Sequence, residues 1–154
     1  MAPTQRTLHR LFYRSRQTPE TTADLDFAVQ QIIGTAIRRN RDLGLTGLLL
    51  TIQGNFIQAL EGNVEAVRAT YARISLDPRH HDSHIIFQGQ AHQRLFGEWN
   101  MCASALAPSD KAIVEVLDGK GGFNPQALTA AGVERLLTSV AAIQRRTALA
   151  ALVG

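Results

Sequence analysis

TGLLLTIQGNFIQALEG, Thr46 to Gly62, is the stretch from which the fold can be read. Its two apolar runs, Leu48 to Ile52 and Phe56 to Leu60, flank the turn-forming Gln53-Gly54-Asn55 and predict a tight hairpin of two buried strands. Side chains alternate along a strand, so Phe56, Gln58 and Leu60 share one face. A neutral amide therefore stands between two large apolar side chains in the middle of a sheet. Each of its polar groups left unpaired there costs about 1–3 kcal/mol, so Gln58 must find partners. Two readings stay open from this strand alone. Either neighbouring protein groups satisfy the glutamine, or it faces something polar bound against the sheet.

Before the hairpin, Thr7 to Ser15 (TLHRLFYRS) alternates so that Leu11, Tyr13 and Ser15 point one way and Arg10, Phe12 and Arg14 the other, a first strand. Thr21 or Thr22 then offers a helix N-cap, with Asp24 as a capping-box-like acid. Leu25, Ala28, Val29, Ile32, Ile33, Ala36 and Ile37 repeat at helical spacing up to a helix end near Asn40, and Gly44 closes the connection. After the hairpin, Asn63 caps a second helix carrying Val64, Val67, Tyr71 and Ile74, which Asp77-Pro78 terminates. Ser83 to Gln90 predicts a fourth strand and Arg94 to Ala103 a fifth, with Trp99, Met101 and Ala103 on one of its faces. The order β-α-β-β-α-β plus one strand predicts a ferredoxin-like α+β fold, a five-stranded mixed sheet with two helices on one face. Past Pro108, Ser109 can cap a short helix with Ile113, Val116 and Leu117. Asn124-Pro125 then starts a long alanine-rich helix with Leu128, Leu136, Leu137, Val140 and Leu149 on one side. These two helices either cover the open face of the sheet or meet another chain. The expected division is an α+β core over residues 1–104 and a helical extension over 105–154, acting as interface or cap.

At 154 residues the chain accommodates one domain with one core. The N-terminal MAPTQRT has no apolar core of a signal peptide, and no apolar run approaches the ~20 residues that span a bilayer. A soluble, cytoplasmic protein without membrane contact is expected. The lone Cys102 excludes an internal disulfide and a thiolate cluster, which fits a reducing compartment, and no metal site is expected. The net charge of +3 is modest. Its placement is more informative, because Arg38, Arg39 and Arg41 gather at the end of the first helix and Arg79-His80-His81 follow the second. Cations are favoured at helix C-termini by the macrodipole, and the same groups could hold a phosphorylated ligand.

LFYRSR, RRNRDLGLTGLLL, GNFIQALEG, ISLDPRHHD and RLFGEWNM, in this order and spacing over roughly residues 7 to 103, resemble the BLUF family of blue-light sensors that use flavin adenine dinucleotide (FAD). The resemblance implies a photoreceptor that is not an enzyme and that binds FAD non-covalently. By that likeness the isoalloxazine ring lies between the two helices, with Ile32 and Ile74 against its faces and Phe56 lining the same site. Asn40 corresponds to the asparagine that hydrogen-bonds the flavin's polar edge. Arg79 and His80 match positions near the ribityl and phosphate part, with Asp77 orienting His80. Arg38 and Arg39 join them, although Arg39 stands where relatives often have asparagine or histidine. Guanidinium suits phosphate because its donors form a planar fork.

Tyr13 and Gln58 match the family's photoactive pair. The phenol can supply an electron and a proton, and the amide can exchange donor and acceptor because it carries both on one planar group. Trp99 and Met101 match a last-strand pair that relays the change, and Ser15 shares the face of Tyr13. The resemblance further implies a signalling protein bound in trans and assembly into a dimer or larger ring. Two readings from other classes compete with this one. A small acylphosphatase-like hydrolase could use Arg79, Asn40 and His80 to bind an anion, but the chain lacks a glycine-rich phosphate loop. A nucleic-acid binder is disfavoured by aromatics too few and too scattered to form a stacking platform.

Overall fold

The computed structural model describes residues 7–97, 102–105 and 124–153. The hairpin forms from β2 (Thr46–Ile52) and β3 (Asn55–Asn63), joined by the two residues Gln53 and Gly54. Both have positive φ, 47° and 78°, as a type I′ turn requires if its twist is to match the strands. Asn55 secures the turn through its side-chain amide, which donates to the carbonyls of Ile52 and Gln53. β1 (Leu8–Gln17) lies antiparallel to β3, and the edge strand β4 (His80–Gln90) lies antiparallel to β1. β5 (Cys102–Ala105) runs parallel to β2 at the other edge. The sheet order is β4-β1-β3-β2-β5, so the expected ferredoxin-like arrangement forms and the fifth strand makes the sheet mixed.

Two helices cover one face. α2 (Leu25–Leu43) follows a short α1 (Pro19–Ala23), and α3 (Val64–Ser75) connects β3 to β4. Leu11, Tyr13, Leu49, Phe56 and Leu60 of the sheet pack beneath Leu25, Val29, Ile32, Ile33 and Ala36 of α2 and Val67, Tyr71 and Ile74 of α3. The opposite face is covered by α4 (Ala130–Val153). There Val133, Leu136, Leu137, Val140 and Ala141 join Phe12, Leu48, Leu50, Ile57, Ala59 and Phe96 in a second core. Of the two locations open to the long helix, the first half of α4 therefore takes the open face of the sheet. The helix expected from Ser109 lies outside the described residues.

Several boundaries differ from the sequence reading, each for a local reason. The cap expected at Thr21 or Thr22 is at Thr18, whose hydroxyl accepts the Thr21 N–H. Pro19 fits the first helical position, and the segment breaks at Asp24, which makes no side-chain cap bond. α2 runs past Asn40 to Leu43, and Gly44, at φ 68°, takes the left-handed C-cap. β4 starts at His80 rather than Ser83. Pro125 opens a single 3₁₀ turn (Pro125–Ala127), and α4 begins only after Thr129, whose hydroxyl accepts the Gly132 N–H. The largest shift is in the last strand. Residues 91–97 form bends rather than the start of β5, because Leu95 and Phe96 give their N–H groups to the Glu61 carboxylate instead of to a strand. Asn63 caps α3 as expected, its Oδ1 accepting the Glu65 N–H.

Candidate functional site

The β1–β3 register sets Tyr13 directly opposite Gln58, and the β2–β3 register sets Leu49 on the amide's other flank. Alternation turns all three toward α2 and α3. Both polar members are buried, and the Tyr13 hydroxyl donates to Gln58 Oε1. Burial holds the Tyr13 phenol above its ordinary pKa, with smaller contributions from Tyr71 and the charge of Asp77. Tyr13 therefore keeps its proton and remains a donor. The Tyr71 ring lies 5.3 Å from that of Tyr13, and its hydroxyl pairs with Ser83 Oγ at 2.7 Å.

A cleft of about 820 Å³, open mouth included, lies between α2, α3 and the sheet. Tyr13, Ile32, Arg39, Asn40, Phe56, Gln58, Ile74, Asp77, Arg79 and His80 line it, as do Thr35, Ala36, Leu49, Leu60, Thr70 and Arg73, which the sequence reading did not assign to the site. Helical spacing from residues already chosen would have found three of these. Thr35 and Ala36 lie one turn after Ile32 and Thr70 one turn before Ile74, whereas Arg73, adjacent to Ile74, would not have been reached this way. Arg38 is exposed and does not line the cleft. Trp99 and Met101 lie outside the described residues.

Asn40 is almost wholly buried in the last turn of α2, where Gly44 and Leu45 take its backbone carbonyl as their acceptor. The C-cap is thus Gly44, and Asn40 lines the cleft. The Asp77 carboxylate is not the partner of the His80 ring; it grips Arg79, accepting from the backbone N–H at 2.9 Å and from Nε and a terminal nitrogen at 2.9 and 2.5 Å, while the Asp77 carbonyl accepts the His80 backbone N–H at 3.4 Å. Partial burial works against the Asp77 charge, but the hydrogen bonds and charge of Arg79 prevail and hold the carboxyl below its ordinary pKa. The Arg79 guanidinium is held above its own by the same bonds. His80 is oriented by other groups, Ser15 Oγ at its Nδ1 and the Ile74 carbonyl at its Nε2, both at 2.6 Å. Since a carbonyl only accepts, Nε2 carries a proton. Ser15 thereby joins the network beside Tyr13, because His80 packs edge-on against the rings of Tyr13 and Phe56.

The lining suits a flavin. Ile32, Ala36, Leu49, Phe56, Leu60 and Ile74 offer apolar walls to a planar ring, Asn40 and Gln58 carry amides for its polar edge, and Arg39, Arg73 and Arg79 supply cations for phosphates. Thr70 Oγ1, also in the lining, is the one buried side-chain polar atom without a hydrogen-bond partner among the described residues. A ligand with polar atoms would relieve that cost. Among the described residues no group of His, Cys, Asp or Glu is arranged to hold a metal ion, and no helix is long and apolar enough to cross a membrane.

The family model for sensors of blue light using FAD (BLUF) matches residues 8–102. The photoactivated adenylate cyclase subunit beta of Euglena longa is 33% identical over 94 residues, which cover 61% of this chain and 11% of that protein. The chain thus corresponds to about a tenth of the cyclase. Among solved structures, the photo-activated state of BlsA superposes with a TM-score of 0.77 at 25% identity, covering 86% of this chain and 93% of that one. The dark state of the BLUF protein BlrB gives 0.59 at 30% identity, covering 72% and 78%. The chain belongs to the BLUF family of blue-light sensors, and its cofactor is FAD.

Proposed function

We propose that Tyr13 and Gln58 are the light switch of this photoreceptor, and the observation that carries the reading is their buried hydrogen bond against the cleft wall. Bound FAD supplies blue-light absorption and, once excited, a strong oxidising acceptor. Tyr13 is the donor: its phenol is neutral, and its O–H already points at Gln58 Oε1. Loss of an electron makes a phenol strongly acidic, so its proton moves to that oxygen along the existing bond. The amide would then rotate or change tautomer and, as the electron and a proton return to Tyr13 and restore both redox partners, would be left with exchanged donor and acceptor toward Tyr13 and the cleft. Ile32 and Ile74 would confine the ring, Asn40 would bind its polar edge, and Arg79, held by Asp77, would meet the phosphates with Arg39 and His80. Phe56 closes the wall beside Gln58, and the cofactor is held without a covalent bond.

This reading gives the chain the sensor's part and not catalysis, since the likeness to the cyclase spans only a small part of that protein. The signal passes through Trp99 and Met101 to the C-terminal helices and on to another protein or a second copy of this chain. A useful coupling requires one state to bind that partner better by about 1–3 kcal/mol. Absorption spectra in darkness and under blue light test the switch. Wild type should show flavin bands that move to the red and recover in darkness, and Tyr13→Phe should keep its flavin and lose the shift. A full, reversible shift in Tyr13→Phe would sink the mechanism.

A further inference from the structure

Gln58 faces the cleft. Three residues along the same strand, Glu61 sits on the other side of the sheet and is completely buried. Each of its carboxylate oxygens accepts two bonds. Oε2 takes Arg10 Nε at 2.9 Å and the Leu95 N–H at 2.8 Å, while Oε1 takes the Phe96 N–H at 2.8 Å and Thr46 Oγ1 at 3.4 Å. Arg94 tightens the same knot from the bend, reaching Thr46 Oγ1, the Glu61 carbonyl and the Gly44 carbonyl at 2.8, 3.2 and 2.8 Å. Arg10 donates a further bond to the Gln93 carbonyl at 2.6 Å. One carboxylate on β3 thus gathers β1, the start of β2 and the 93–97 bend. Phe96, whose amide it fixes, is fully buried in the core that Leu136, Leu137 and Val140 of α4 complete.

The light switch and the seat of α4 are therefore joined by one short path: Gln58, three residues of β3, the Glu61 carboxylate, the Phe96 amide, the Phe96 ring and α4. β3 is paired on both sides, and close-packed interiors pass small displacements on rather than absorbing them. A hydrogen-bonded carboxylate is also directional, since moving it by a fraction of an ångström changes four bonds at once. We propose that Glu61 is a positioning residue that couples the state of the Tyr13–Gln58 pair to the docking of α4 through the 93–97 bend. The inference rests on the photoswitch reading above and adds to it a route across the sheet.

Glu61→Gln tests it in the full, FAD-loaded chain. The amide keeps the size and one acceptor oxygen but puts a second donor opposite N–H groups. Two readouts are taken in darkness and under blue light: the flavin red shift, and deuterium uptake of peptides covering residues 93–97 and 130–145. In wild type, light should shift the flavin and change uptake in both peptides. In Glu61→Gln the red shift should persist while the light-minus-dark difference over 130–145 is lost. A merely structural role would raise uptake equally in dark and light and leave that difference intact, which would overturn the inference. So would wild-type protein with a normal red shift and no light effect on 130–145. Absence of any red shift in wild type would overturn the photoswitch reading and the inference with it. If Glu61→Gln does not hold flavin, Thr46→Val removes one donor from Glu61 and one acceptor from Arg94. The light-minus-dark difference over 130–145 should then shrink, and an unchanged difference would count against the coupling.

Discussion

Asp77 and Arg79 illustrate how much one side chain's choice of partner decides. The carboxylate curls back on the guanidinium two residues later, so the arginine is oriented before any ligand arrives, which spares binding part of the ordering cost. The His80 ring, with Asp77's carboxylate turned to Arg79, bridges Ser15 and the Ile74 carbonyl and so ties β1 to the end of α3. The Asp77–Arg79 pair is partly exposed, with side-chain accessibilities of 24% and 33%, so solvent screens its attraction. Its pH signature survives screening. The folded-state pKa of Asp77 lies below its unfolded value, so the stability it contributes is fully present above about pH 4 and is lost as pH falls through the folded value. Thermal melts of wild type and Asp77→Asn should differ at pH 7 and converge as the solution is acidified below about pH 4. A gap between the two that stays constant down to pH 2 would show that the pair contributes nothing titratable.

The hairpin illustrates what a sequence makes legible in an element. Apolar runs, a two-residue turn and a mid-strand amide were all visible in Thr46–Gly62, because strand alternation and turn chemistry are local properties. The close approach at the end of β3 was not visible. A Cβ on Gly62 would stand 2.5 Å from Leu45 Cδ2 and 3.2 Å from the Gly44 carbonyl oxygen, so the glycine lets the α2–β2 connection pass against β3. Gly62→Ala should cost about 1–3 kcal/mol by overpacking, read as a lower urea midpoint at unchanged slope. A midpoint equal to wild type would mean that Leu45 moves aside freely. The same limit explains the misplaced start of β5. Arg94-Leu95-Phe96 reads locally as strand, and only the buried carboxylate of Glu61, more than thirty residues earlier, draws its amides out of the ladder. The one-turn α1 was missed for a related reason, since Thr18 competes with Thr21 and Thr22 as a cap and sequence alone does not rank them.

Across the whole molecule the sheet separates two cores with different tasks. The α2–α3 side is interrupted by a cleft and polar groups, while on the α4 side Leu48, Leu50, Ile57 and Phe96 meet Val133, Leu136, Leu137 and Val140 in an apolar layer beside the buried Glu61 carboxylate. The strands' patterns foretold both layers, since β2 and β3 are buried at almost every position and a sheet covered on one face alone would alternate. They did not say what would cover the second face, because an apolar helix stripe fits a sheet of its own chain and that of another equally well. Leu137 is completely buried at this contact. Leu137→Ala should therefore lower stability by about 2–5 kcal/mol, through lost transfer energy and the cavity left behind. The informative quantity is which signals move. If α4 and the sheet form one cooperative unit, flavin release and loss of helical circular dichroism should melt together in wild type and fall together in the variant. A flavin-release midpoint untouched by Leu137→Ala would mean that the cleft side stands without α4, and a light signal would then have to leave the sheet by another path.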